Sequence, residues 1–166
     1  MGETLALRPI SRAAVPEALK KAEHYRLLND PEQAESICLD VIEVDPDNQQ
    51  ALVVIILAIS DHFGSGRRPM SEVPVSEYLA RLTNEYQRSY YTGIVRERRA
   101  RAQLRHTPAK HFAYDGLREA MEYYEKAASI RALDNDEAVL RWNSCVRTIR
   151  QANLEPRPKE PELPLE

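Results

Sequence analysis

The densest chemistry in this chain lies between residues 96 and 105, where Arg96, Arg98, Arg99, Arg101 and Arg105 surround a single acid, Glu97. Five guanidiniums against one carboxylate give the decapeptide a formal +4, so within an overall −3 the rest of the chain carries −7. Guanidiniums are planar forks of donors that match carboxylates and phosphates in pairs. Ten helical residues make fewer than three turns, so these arginines cannot all share one face. Some must meet water or pair with acids of neighbouring helices, and the cluster can also contact an acidic peptide. Phosphate or RNA binding is the alternative. It is disfavoured because no aromatic residue interleaves with these arginines to stack on bases.

The other reactive side chains are scattered. His24, His62, His106 and His111 stand singly, and although the last two are close in sequence, Pro108 separates them and no acid or thiol completes a ligand set, so no metal is expected. Cys38 and Cys145 are far apart, each within an apolar helical pattern, and read as small buried hydrophobes rather than a disulfide or thiolate site. The segment GSGRR at Gly64 to Arg68 follows a helix and lacks the lysine-serine ending of a phosphate-binding loop. No nucleophile and base, paired carboxylates or cofactor motif has a sequence signature here, so neither an enzyme nor a cofactor is expected.

Helical periodicity dictates where these side chains stand. Hydrophobic residues make up 43% and charged residues 30%, and five glycines against eleven prolines argue against chains of tight hairpins. Pro16 opens a first helix that continues through Leu19, Ala22, Tyr25, Arg26 and Leu28 to about Asn29. Asp30 caps a second, with Pro31 in its first turn and Gln33 three beyond the cap. So short a connection forces the two antiparallel, with Ala22 and Ala34 at the crossing against Tyr25, Cys38 and Val41. Asp45-Pro46-Asp47-Asn48 then leads to Ala51–Ile59, apolar on every face and therefore central.

From Phe63 to Val75 the Gly-, Ser- and Pro-rich composition reads as a loop. Ser76 is placed to cap the next helix, and helical spacing persists through Tyr78, Leu82, Tyr86, Tyr90 and Ile94 to about Arg105. One helix of that length is uncommon, so a break is expected between Gln87 and Gly93. Thr107-Pro108 starts a further helix with Phe112, Leu117, Met121, Tyr124 and Ala128 on its apolar side. Asp134-Asn135 precedes a last one holding Val139, Leu140, Trp142, Val146 and Ile149. The organisation is thus an extension over 1–14, one helical domain over 15–153 with its loop at 63–75, and a Pro/Glu-rich tail over 154–166. Glu160, Glu162 and Glu166 of that tail have the composition of an extended or disordered segment.

Two stretches resemble the tetratricopeptide repeat family: EALKKAEHYRLLNDPEQAESICLDVIEVDPDNQQAL, and less completely DGLREAMEYYEKAASIRALDNDEAVLRW. In the first, Ala22, Tyr25, Ala34 and Pro46 occupy the family's small, aromatic, small and closing-proline positions; in the second, Ala120, Tyr124, Ala127 and Ile130 recur. The repeats are degenerate, with insertions near Gly64 and after Tyr90-Tyr91-Thr92-Gly93. The resemblance implies an all-α fold of about six to seven helices, arranged as antiparallel pairs in a right-handed superhelical stack, an α-solenoid whose concave groove holds a peptide or partner protein.

Carried over by position, the groove-facing residues are Leu19, Glu23 and Arg26 from the first unit, Val53, Leu57 and Ser60 from the second, and Tyr90, Ile94 and Glu97 from the third. Leu19, Glu23, Val53 and Leu57 stand where some family members place the Lys and Asn that clamp a peptide's terminal carboxylate, so that mode of binding is not implied. The tyrosines Tyr86, Tyr90, Tyr91, Tyr114, Tyr123 and Tyr124 are either helix-packing residues or rigid contacts for a groove. Ala51–Ile59 is too short to span a bilayer, and MGETLALRPISR lacks the apolar core of a signal peptide. The expectation is a cytoplasmic protein that binds a partner segment, with self-association through an exposed end helix as a further option.

Overall fold

The computed structural model describes residues 5–106 and 110–159. A 3-10 turn, Arg12–Ala14, leads into α1 (Val15–Leu27), α2 (Pro31–Val44), α3 (Gln49–Asp61), α4 (Val75–Ala80), α5 (Glu85–His106), α6 (Lys110–Ser129) and α7 (Glu137–Gln151). No strand occurs among the described residues. Each helix packs on the next, and α3 in addition touches both α1 and α5. The odd-numbered helices α1, α3 and α5 therefore lie side by side.

Helix boundaries follow local chemistry. Asn29 takes a left-handed φ of 59°, which asparagine tolerates better than most residues, and the chain reverses there. Asp30 Oδ1 accepts from the Gln33 amide at 3.3 Å and Asn48 Oδ1 from the Ala51 amide at 2.9 Å, capping α2 and α3. On α3, Leu52, Val54, Ile55, Ile56, Ala58 and Ile59 are all buried, as its uniformly apolar sequence demands. Ala22, Ala34 and Cys38 are fully buried where α1 and α2 cross.

The interior comprises two main apolar clusters. One is built on α1 to α4, the other on α5 to α7, and a smaller group of Val15, Leu19, Val41 and Ala51 closes the first end. Helix α5 separates the main pair: Val95 belongs to the first cluster, its neighbour Ile94 to the second, and Tyr91 packs against both.

Several expectations are corrected. The break in the long helical stretch falls at residues 81–84 rather than between Gln87 and Gly93, because Asn84 Oδ1 accepts from the Gln87 amide at 2.9 Å and starts α5 there. Gly93 stays helical; a Cβ on it would lie 2.6 Å from Tyr124 Cε1, so its bareness serves the close approach of α6 instead of a bend. Ser76 sits inside α4, whose N-cap is Pro74. Phe112 and Leu140, expected on apolar faces, are 46% and 65% exposed. Ile130 and Leu28 likewise face solvent. Leu154, assigned to the tail, is buried in the second cluster. Thr107-Pro108 and the tail glutamates at 160, 162 and 166 lie outside the described residues.

Candidate functional site

The side-by-side arrangement of α1, α3 and α5 generates one continuous face. On α3, Gln50, Val53, Leu57 and Asp61 recur at three- and four-residue intervals and share a stripe. Glu23 and Arg26 of α1 flank it on one side, Tyr90 and Arg98 of α5 on the other. Val53, Leu57 and Tyr90 are half-buried, so this stripe offers apolar and aromatic surface that the fold does not fully cover. Tyr90 stacks on Tyr86 with centroids 5.8 Å apart and meets Tyr91 edge-on at 5.2 Å, which holds its ring in a fixed orientation.

Polar contacts tie the three helices across this face. Gln50 Nε2 donates to Glu23 Oε1 at 3.0 Å. Asp61 accepts from Arg26 Nε and pairs with Arg98 Nη1, each at 2.8 Å, so one carboxylate joins α1 to α5 through the end of α3. Arg98 also donates to the Leu57 carbonyl at 2.9 Å and to Ser60 Oγ at 2.6 Å. Burial pulls the Arg98 pKa below its ordinary value, with Asp61 opposing.

Behind the face lies a buried acid. Glu97 is 1% exposed; its Oε2 accepts from the Tyr124 hydroxyl at 2.6 Å and its Oε1 from Arg101 Nε at 2.8 Å, with Arg141 of α7 at 3.5 Å. Arg101 donates onward to Thr148 Oγ1 at 2.7 Å and Ser144 Oγ at 3.0 Å, fastening α5 to α7. Burial first and the Glu97 charge second push the Tyr124 hydroxyl well above its ordinary pKa, so it stays a donor. Burial is also the main cause of a raised Tyr90 pKa, with Arg141 opposing.

Of the nine residues assigned to a groove, the structure brings Glu23, Arg26, Val53, Leu57 and Tyr90 to this face with surface to offer. Leu19, Ser60, Ile94 and Glu97 are buried and are corrected accordingly. Leu19 and Ile94 fill the core, Ser60 holds Arg98, and Glu97 anchors the α5–α6–α7 interior.

The arginine cluster divides by face. Arg98 and Arg101 turn inward to protein partners, Arg96 reaches Glu119 at 3.5 Å, and Arg99 lies over the Phe63 ring at 5.0 Å. Arg105 is exposed. The segment is thus not one basic patch.

Sequence reasoning missed Asp61, Arg141 and the buried Glu35. Asp61 carried a usable signal, standing four residues beyond Leu57 at the end of an apolar helix. Glu35 carried none: it is 1% exposed, accepts from the Ser71 amide at 2.8 Å, and has His62 Nε2 3.8 Å away, so its partners come from a distant loop. Among the described residues no group of three or more His, Cys, Asp or Glu side chains could hold a metal ion, and no helix is long and apolar enough to cross a membrane.

No protein-family model, curated protein or solved structure significantly matches this chain.

Proposed function

We propose that this chain is a protein-interaction module of the tetratricopeptide type, a right-handed stack of helix pairs that holds a partner segment along the α1–α3–α5 face. The observation that carries the reading is the half-buried stripe of Val53, Leu57 and Tyr90, flanked by Glu23 along α1 and closed at the end of α3 by the Arg26–Asp61–Arg98 bridge. Apolar surface with a rigid aromatic and fixed charges at its edge suits a peptide or helix whose side chains alternate between the two. No catalytic step and no cofactor is assigned to it, and the two free, buried thiols accord with a reducing, cytoplasmic setting. Nucleic acid is disfavoured as a partner because Arg98 and Arg101 are already engaged within the fold.

The test is a comparison of the proteins recovered from cell extract by the wild type, by Val53→Glu with Glu23→Lys, and by Lys110→Glu as a control away from the face. Loss of the same partners from the face variant alone supports the reading. Identical lists from all three reject it.

A further inference from the structure

On the side of α5 turned away from that face, a cleft of about 590 Å³ opens between α5, the loop 62–74 with α4, and the end of α6. Its floor is apolar, formed by Ile59, Phe63, Val75, Leu79 and Val95. Its rim carries four cations, Arg88, Arg96, Arg99 and Lys126, and among the described residues no carboxylate lines it. In a chain of net −3 such a concentration of one sign creates a local positive potential.

These cations are largely uncommitted. Arg88 donates to the Leu82 carbonyl at 2.6 Å and Arg99 lies over Phe63, but among the described residues neither they nor Lys126 meet a carboxylate. Among the described residues Arg96 pairs only with Glu119, at 3.5 Å with both side chains about two-fifths exposed, a pair worth little in water. The loop that contributes Pro69 and Pro74 to the opposite wall is anchored by residues outside the cleft: Ser71 donates its amide to Glu35 at 2.8 Å, and its hydroxyl lies 2.7 Å from the Tyr78 hydroxyl.

The spacing favours an extended ligand. Arg88 and Arg99 are eleven residues apart on one helix, about 16 Å at 1.5 Å per residue. A single-headed anion can engage only one end of such a row. An extended peptide at about 3.3 Å per residue spans it with roughly five residues and can place a carboxylate near each cation. Of the two aromatic rings that line the cleft among the described residues, Arg99 already covers Phe63, which leaves Tyr123 alone for a base, whereas single strands are held by stacking successive bases.

We propose that this cleft binds a short extended acidic segment of a partner protein, with one large apolar side chain on the floor and carboxylates against Arg88, Arg96, Arg99 and Lys126. The site is separate from the α1–α3–α5 face and stands or falls independently of it.

Fluorescence anisotropy on the full chain tests this with three labelled pentapeptides: Asp-Glu-Phe-Glu-Asp, its neutral analogue Asn-Gln-Phe-Gln-Asn, and the acidic but polar Asp-Glu-Ser-Glu-Asp. Only the first should bind well, each of the others at least about tenfold more weakly. Raising the salt should weaken it, since its contacts are exposed charges. Arg99→Glu with Lys126→Glu should lower its affinity at least about tenfold, and the exposed Lys126→Glu alone several-fold should the double variant fail to fold. Val53→Glu with Glu23→Lys should leave it unchanged, which separates failure here from failure of the opposite face. Equal binding of the neutral peptide, no loss in either cleft variant, no binding at all, or displacement by an oligouridylate at lower concentration than by the peptide would overturn the proposal.

Discussion

The Tyr124 hydroxyl donates to the Glu97 carboxylate across 2.6 Å, with α5 supplying the acid, α6 the phenol, and neither residue more than 1% exposed. Arg101 and Arg141 reach the same carboxylate from partly exposed positions, so their charges can return to water if it is lost, whereas the phenol cannot.

Removing the acid therefore costs mainly what an orphaned buried donor costs. Glu97→Ala is expected to destabilise by about 1 to 3 kcal/mol. Glu97→Gln, which retains an acceptor, should cost less. Urea denaturation of both variants measures the difference, and equal losses would locate the effect in charge instead of the hydrogen bond.

Gly93→Ala sets two effects against each other. Replacing a glycine inside a helix gains about 1 kcal/mol, but the new methyl lands 2.6 Å from a buried ring atom of Tyr124, and overpacking of that kind costs about 1 to 3 kcal/mol or more. The ring is pinned by Glu97, so the steric cost should win and the melting temperature fall. In a Tyr124→Ala background the same change should become neutral or stabilising, a coupling that a double-mutant cycle reads directly.

Both cysteines are buried, and burial pushes each thiol up to about 12. Neither should react with iodoacetamide at neutral pH until the chain unfolds, when both should. The raised values also set a pH dependence. In the unfolded chain these thiols lose protons at ordinary values, before the folded ones do, so the unfolded state binds fewer protons and stability falls with rising pH. Their contribution is complete below about pH 8.5 and declines toward pH 12. Tyr124, raised in the same direction, adds to the decline above pH 10. Chemical denaturation between pH 8 and 11 should show it, less steeply in Cys38→Ala with Cys145→Ala.

Asn48 receives the Ala51 amide at the start of the most buried helix. Asn48→Ala should cost about 1 kcal/mol through the lost cap, and Asn48→Asp should also destabilise, because aspartate keeps the cap but sets a carboxylate where the Asn48 Nδ2 donates to Asp45 Oδ2 at 2.9 Å. Thermal melts of both check this, and Asn48→Asp should regain stability at a pH low enough to protonate the pair.

The helices were legible in the sequence where caps and periodicity agreed, as at Asp30, Asn48 and the apolar run of α3. They were less so where a tertiary contact decided. Gly93 looks like a breaker until Tyr124 is seen lying against it, and the actual break at residues 81–84 has no glycine or proline to mark it. Of the nine groove residues chosen by position, five keep exposed surface on the candidate face. Leu19, Ser60, Ile94 and Glu97 were misplaced because position in a sequence pattern says nothing of depth: a glutamate reads as surface unless the phenol and guanidiniums that satisfy it are known. The cleft was invisible for a related reason. Arg88, Arg99 and Lys126 come from two helices, and the loop that walls them is held by Glu35, far away in the sequence.

Ile94 and Val95, adjacent in sequence, serve different interiors, and Tyr91 serves both. Helix α5 is thus a party wall, and neither half of the molecule has a complete house without it. A chain cut after α4 would leave Ile59 and Leu79 open to water, while one begun at α6 would strand Leu117 and Tyr124. Heating should accordingly bring the whole molecule down in a single step, with no surviving half.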